Sequence, residues 1–383
     1  MRRVLSRLIL LCFGTAAGLL TCELLLRTFS YAGEHERLNI VFDSEYGDLV
    51  KTSWLFQLEI DPSTQEEAVL HGIKVPIKKD PRKTRILFIG DSATAGARVF
   101  ERGFVFQFKE MLDIERPDNQ TEVINAGVWG MTTIGEYRAL EGKLLPLEPD
   151  IVILGLFMSN DINFNLAHED ERSSSALSRR LFSYLRQHSA LVHYSMLRGM
   201  ALNNRFKLIR SEDVLDWTWF PRELALVDSY GFHMLNYPAG ETATYMREPS
   251  ELMQYAFEVL DQSFQRFLEL GEENGFEFRI LIIPTPSTVA GELALLHFLP
   301  DPYEEIRRQG VDVSSEELDF DLPTQRVMDI CRKRRIVCID PTQRMKEVGM
   351  KSFFPDDEHP TALGHEALAR ELVENYDRLV DGD

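Results

Sequence analysis

The chain has 383 residues, of which 44% are hydrophobic and 27% are charged, and its formal net charge is -19 at pH 7. This composition is typical of a globular protein and excludes a disordered one, and the length suffices for one α/β domain with insertions or for two domains. The acidic balance argues against nucleic acid as a partner, because phosphate binding needs a basic face.

The N-terminus combines a basic start with an apolar stretch. Arg2, Arg3 and Arg7 precede the mostly apolar segment from Leu8 to Leu26. At about 1.5 Å of helix per residue, this segment matches the hydrocarbon core of a bilayer. Since the arginines favour a cytoplasmic N-terminus, we expect residues 1–29 to form a single-pass signal-anchor in the inner (cytoplasmic) membrane, with the rest of the chain periplasmic or otherwise extracytoplasmic. A cleaved signal peptide and a buried helix of a soluble domain are the alternatives.

Residues 30–83 are interpreted as a polar tether and irregular lead-in, since Pro62, Pro76 and Pro81 interrupt them. The main domain is predicted over 84–383, with insertions at about 163–250 and 287–320.

Short apolar runs alternate with helical patterns along the main domain. The predicted strands are Arg85 to Ile89, Thr121 to Ala126, Ile151 to Phe157, Phe276 to Ile283 and Ile336 to Asp340. The predicted helices cover about 103–114, 134–145, 181–202, 250–274, 322–333 and 361–379. This alternation predicts a three-layer α/β/α fold with a five-stranded, mainly parallel sheet. The polar residues that follow the strands then meet at one edge of the sheet.

Four short motifs lie at these strand ends or just before the last helix. They are Gly90-Asp91-Ser92, the loop from Asn125 to Gly130, Asn160-Asp161, and Asp356-x-x-His359-Pro360. Each one alone also has a local structural explanation, such as a turn or a helix cap. Their order and strand context together predict a common site.

Hydroxyl, imidazole and carboxylate groups in these motifs suit nucleophilic catalysis. Ser92 is a weak nucleophile unless a base takes its proton, and His359 supplies an imidazole, the side-chain type best suited to be that base near neutral pH. Asp356, three residues earlier, is predicted to accept the second ring N–H and hold the tautomer. Asp357 and Glu358 are interpreted as solvated.

Such a reaction also needs donors for the oxyanion. The candidates are the backbone N–H groups of Ser92 and Gly130 and the side-chain amide of Asn160. Gly127 competes with Gly130 for this role.

The four motifs, in this order, resemble those of the SGNH hydrolase superfamily, also called GDSL-type esterases and lipases. The resemblance covers about residues 84–161 and 276–380, and it implies a flavodoxin-like SGNH fold and ester hydrolysis through an acyl-enzyme. The family pattern favours Gly130 over Gly127. Ser159 departs from it, because the family usually has glycine before the Asn-Asp pair.

The expected function is therefore a serine esterase that acts on an acylated glycan or lipid of the cell envelope or of an export pathway. A glycan O-acyltransferase using the same triad and a non-catalytic glycan-binding protein are the alternatives. We expect no cofactor and no metal, since no Cys/His spacing is typical of a metal site. Cys331 and Cys338 either form a disulfide or remain two buried thiols, and the second interpretation is favoured.

Overall fold

The computed structural model describes residues 14–15, 17–25, 40–42, 49–51, 66–71, 73–128, 131–158, 161–162, 242–249, 251–298 and 317–382. Most of the predicted insertion at 163–250, the helix predicted at 181–202 and half of the insertion at 287–320 lie outside these ranges. Much of the predicted membrane anchor also lies outside them, although residues 17–25 are helical. Among the residues described, no helix combines the length and apolar character needed to cross a bilayer.

A parallel five-stranded sheet forms the centre of the main domain, which confirms the predicted α/β class and the predicted sheet. Its strands are β5 (Thr84–Gly90), β6 (Thr121–Asn125), β7 (Ile151–Phe157), β8 (Glu277–Ile283) and β9 (Val337–Ile339), in the spatial order β6-β5-β7-β8-β9. All neighbouring pairs run parallel. The order reverses next to β5, the first strand of the sheet, and such switch points create a crevice at the carboxyl ends of the strands.

Alternating side chains of the strands feed two separate hydrophobic cores. On β5, Leu87 and Ile89 face one core, and Ile86 and Phe88 face the other. Both sets are fully buried, which explains why the strand is apolar throughout instead of alternating with polar residues. The sheet is thus the middle of three layers.

Helices cover both faces of this sheet. They are α1 (Ser92–Ala95), α2 (Phe104–Glu115), α3 (Thr133–Ala139), α4 (Glu251–Asn274), α5 (Pro286–Ala290), α6 (Glu292–Phe298), α7 (Leu322–Arg334), α8 (Thr342–Val348), α9 (Ala362–Glu374) and α10 (Tyr376–Asp381). Short helical turns occupy Phe100–Arg102, Leu140–Leu144, Leu145–Leu147 and Gly349–Ser352. The long helix α4 contributes Phe264 and Phe267 to one core, where the Phe267 ring stacks on Phe278 at 4.6 Å between centroids. Helices α2 and α9 contribute to the other core.

The lead-in differs from the irregular tether that the sequence predicts. It contains two antiparallel hairpins, β1 (Ile40–Phe42) with β2 (Leu49–Lys51) and β3 (Glu67–Leu70) with β4 (Ile73–Pro76). Alternating residues of the second hairpin, among them Leu70 and Val75, are buried in the core that also contains Leu87 and Ile89. The buried Arg85 guanidinium donates 2.9 Å hydrogen bonds to the Pro76 and Ile77 carbonyls. The prediction of an irregular segment is wrong for this hairpin. The hairpin has few apolar residues, and the core surface on which they pack cannot be recognised from the neighbouring sequence.

A third hairpin pairs β10 (Phe353–Phe354) with β11 (Asp357–Pro360) just before α9. Thr361 caps α9 by accepting a hydrogen bond from the Gly364 N–H at 3.3 Å, and its own N–H donates to the Ser352 carbonyl at 2.8 Å. This hairpin therefore enters the helix in a fixed direction, and it carries the last of the four motifs.

Candidate active site

Ser92 lies at the switch point of the sheet. Strand β5 pairs with β7 as far as Gly90 opposite Gly155, and the chain then turns into α1. Asp91 caps this short helix, because its carboxylate accepts the Ala93 N–H at 2.9 Å. The turn presents Ser92 as the first helical residue, with only 8% of its surface exposed.

His359 reaches Ser92 from the other end of the chain. The Ser92 Oγ and His359 Nε2 atoms are 2.7 Å apart, which is hydrogen-bond distance. The imidazole lies beside the Phe157 ring at the end of β7, with 6.1 Å between ring centroids. Two residues 267 positions apart in the chain, which the sequence predicts to share one site, are thus within hydrogen-bond distance.

The carboxylate on the imidazole belongs to Asp357, not to the predicted Asp356. Asp357 Oδ1 lies 2.5 Å from His359 Nδ1 and also accepts the His359 backbone N–H at 3.2 Å. Asp356 points elsewhere: its side chain is 70% exposed and accepts a 2.9 Å hydrogen bond from Arg98 Nη1. The difference arises because β11 is extended from Asp357, so that the carboxylate two residues before the histidine faces the ring.

Both carboxylates are kept ionised. Burial would raise the pKa of Asp357, but the hydrogen bonds and charge of His359, with the charge of Arg98, outweigh burial and lower it. A hydrogen bond from Arg98 lowers the pKa of Asp356. An ionised Asp357 selects the tautomer with its proton on Nδ1, which leaves the Nε2 lone pair facing the Ser92 hydroxyl.

Two of the three predicted oxyanion donors, Gly130 and Asn160, lie outside the described residues. The structure does place the competing Gly127, whose N–H donates to Asn125 Oδ1 at 3.0 Å and is therefore already used. Asp161, next to Asn160, accepts the Phe157 N–H at 2.8 Å and holds the end of β7.

The loop after β6 packs directly on α1. Asn125 Nδ2 donates to the Thr94 carbonyl at 3.2 Å. A Cβ atom at Gly127 would lie 2.5 Å from the Ala95 nitrogen, so glycine is required for this approach. These contacts fix the start of the loop that leads to Gly130 against the helix that begins with Ser92.

Within the described part of the chain, no group of three or more His, Cys, Asp or Glu residues is arranged to hold a metal ion. Cys331 and Cys338 are both buried, and both are free thiols. Burial, and the neighbouring Cys331 thiol, raise the pKa of the Cys338 thiol. The more favoured of the two cysteine readings thus matches the structure.

Sequence reasoning missed two residues of this site. The sequence predicts a solvated Asp357, because the Asp356-x-x-His359 spacing fits the resemblance, and only the backbone direction of β11 distinguishes the two carboxylates. Arg98 carries no motif, and its single signal was its position six residues after Ser92.

Comparisons with known proteins add little to this geometry. No protein-family model matches the sequence, and no curated protein matches it. Among solved structures, TesA aligns at 13% identity over 77% of this chain and 99% of its own, with a TM-score of 0.38. An acetylxylan esterase from Geobacillus stearothermophilus aligns at 14% identity over 79% of this chain and 96% of its own, also with a TM-score of 0.38. The acetyl xylan esterase AlAXEase aligns at 12% identity over 75% and 97% of the two chains, with the same TM-score. At these values the likenesses carry no argument about activity, and function is argued from the site.

Proposed function

We propose that the chain is a serine ester hydrolase in which Ser92 is the nucleophile, His359 the general base and acid, and Asp357 the orienting carboxylate. The observation that supports this best is the continuous hydrogen-bonded series from Ser92 Oγ to His359 Nε2 at 2.7 Å and from His359 Nδ1 to Asp357 Oδ1 at 2.5 Å. A nucleophile, a base and a group that orients the base are the parts that this chemistry requires.

The reaction follows from these positions. His359 Nε2 takes the Ser92 proton while Oγ attacks the ester carbonyl carbon and forms a new C–O bond. The tetrahedral intermediate collapses, the bond to the alcohol oxygen breaks, and the imidazolium gives its proton to the leaving alkoxide. Water then attacks the acyl-serine, with His359 again as base, and releases the carboxylic acid.

We assign the oxyanion to the N–H groups of Ser92 and Gly130 and to the Asn160 amide. Ser92 is the first residue of α1, so its N–H has no acceptor within the helix. The fixed start of the Gly130 loop and the Asp161 anchor beside Asn160 support the other two. Loss of one such donor costs about 3 kcal/mol of transition-state stabilisation.

The proposed substrate is an acylated glycan or lipid outside the cytoplasmic membrane. The location is supported by the arrangement of the N-terminus, where arginines precede an apolar segment long enough to act as an anchor. Protease accessibility of the main domain in intact cells and in spheroplasts tests this location. Digestion only after the inner membrane is broken would contradict it.

The reaction class is tested by turnover of 4-nitrophenyl acetate by the full chain in detergent, as wild type and as Ser92→Ala. We expect hydrolysis with a burst of nitrophenol in the wild type and none above background in the variant. A burst without further turnover would indicate that water is not the second acceptor, and a glycan acceptor should then restore turnover. Equal rates in the two proteins would refute Ser92 as the nucleophile.

A further inference from the structure

Arg98 connects the segment that carries Ser92 with the hairpin that carries His359. It follows α1 by three residues, and its guanidinium Nη1 lies 2.9 Å from Asp356 Oδ1 and 3.5 Å from Asp357 Oδ2. The same guanidinium stacks on the Phe354 ring of β10, with 3.9 Å from Cζ to the centroid. One side chain thus contacts three residues of the β10–β11 hairpin.

The contact with Asp357 complements the catalytic hydrogen bonds. Asp357 uses Oδ1 for His359, on both Nδ1 and the backbone N–H, and its other oxygen faces Arg98. Rotation of the Asp357 carboxylate would therefore break its hydrogen bonds to His359 and its contact with Arg98. The cation also helps to lower the pKa of Asp357 and keeps that group ionised.

The backbone of Arg98 is held in an unusual conformation. Its φ of +66° lies in the left-handed region, which costs a residue with a side chain about 1 kcal/mol or more and occurs preferentially at functional sites. Ala97 fixes this turn, since its N–H donates to the Ser92 carbonyl at 2.9 Å. Hence the strained turn that points Arg98 at the hairpin is itself tied to the nucleophile.

We propose that Arg98 is a positioning residue that holds Asp357, and through it His359, in register with Ser92. This rests on the proposed function, because it assigns Arg98 a role in that triad. Arg98 acts through Asp357 and does not touch the reacting atoms. An exposed ion pair would contribute little to stability, so that the effect of Arg98 falls on the geometry and charge of the triad.

The chain offers a matched control for this proposal. Arg116 also forms an ion pair with an aspartate, Asp377, and stacks over an aromatic ring, Tyr376, at 4.8 Å. Its side chain is 39% exposed, against 38% for Arg98. Arg116 directly follows helix α2. Within the described part of the chain it has no contact with Ser92, His359 or Asp357.

The test measures the rate at which a fluorophosphonate probe labels Ser92 between about pH 5 and 9, in the full chain in detergent. We expect Arg98→Ala to slow labelling about tenfold or more at neutral pH, because sub-ångström displacement of a base is costly. Removing the cation leaves the Asp357 carboxylate uncompensated beside the imidazole, which favours the protonated ring, so the acid limb of the profile should move to higher pH. Arg98→Lys should recover part of the rate, since an ammonium is a point charge that cannot bridge and stack as a guanidinium does.

Arg116→Ala should label at the wild-type rate with an unshifted acid limb. Wild-type labelling in Arg98→Ala, or slower labelling with the acid limb unmoved, would overturn the role of Arg98 while leaving the proposed function intact. Failure of the folded wild type to label at all would instead contradict the proposed function. Melting temperatures of all variants show whether they are folded, and Arg98→Lys remains informative if Arg98→Ala is not.

Discussion

Asparagine substitutions at two adjacent positions test which carboxylate orients His359. In Asp357→Asn the new amide can donate to Nδ1, which places the ring proton on Nε2 and removes the acceptor for the Ser92 hydroxyl. The Asp357 side chain is only 14% exposed and makes two hydrogen bonds to His359, so water cannot readily take its place. Loss of this function in a serine triad lowers kcat about 10⁴-fold, which corresponds to about 5 kcal/mol.

Asp356→Asn is the matched control, with the same chemical change one residue earlier. Its exposed side chain contacts Arg98 and not the imidazole, so we expect kcat within about threefold of the wild type. The assay is 4-nitrophenyl acetate hydrolysis, with melting temperatures to show that both variants fold. A large loss in Asp356→Asn with near-normal activity in Asp357→Asn would refute the geometric reasoning and restore the assignment that the spacing predicts.

Three further predictions concern packing, pH and thiol reactivity. A Cβ at Gly155 would lie 2.1 Å from Thr94 Oγ1, so Gly155→Ala should lower the free energy of unfolding by about 3 kcal/mol. In the double variant, Thr94→Ala should restore part of this lost stability because it removes the clashing hydroxyl. Denaturant titrations in which the two losses of free energy of unfolding simply add would contradict this. Burial lowers the pKa of His365 to about 3, so the unfolded chain binds the proton first and the fold should lose about 2 kcal/mol between pH 6.5 and 4.5. His365→Gln should remove this part of the pH dependence of the free energy of unfolding. The same pH dependence in the variant and the wild type would contradict a lowered pKa of His365. A maleimide should leave the buried Cys338 unmodified until the protein is denatured, and mass spectrometry that finds Cys338 modified in the native protein would contradict its burial.

The sheet was predictable because its strands are buried on both faces. Such strands read as continuous apolar runs, and the structure places Ile151–Phe157 at the predicted bounds and Thr84–Gly90 within one residue of them. Long amphipathic helices were equally clear, as in Glu251–Asn274. The hairpin at 67–76 was not, because short strands gain their stability from a tertiary surface that local periodicity does not reveal.

The sequence was enough to predict which types of residue form the candidate site and that they lie at the ends of strands. The proposed nucleophile and base follow from chemistry and from the sheet edge, and their side chains lie within hydrogen-bond distance. The choice between Asp356 and Asp357 depends on one backbone direction, which spacing alone does not determine. Arg98 depends on a left-handed turn and on a contact 258 residues away, neither of which leaves a motif.

The proposed mechanism depends on Ser92 being an activated nucleophile. A direct test is to incubate the folded 383-residue chain with a fluorophosphonate probe and to locate the adduct by peptide mass spectrometry. We expect one stoichiometric adduct on Ser92, which is lost when the protein is unfolded before labelling and is absent from His359→Ala. A folded wild-type chain without an adduct on Ser92, or one labelled equally well without His359, would contradict it.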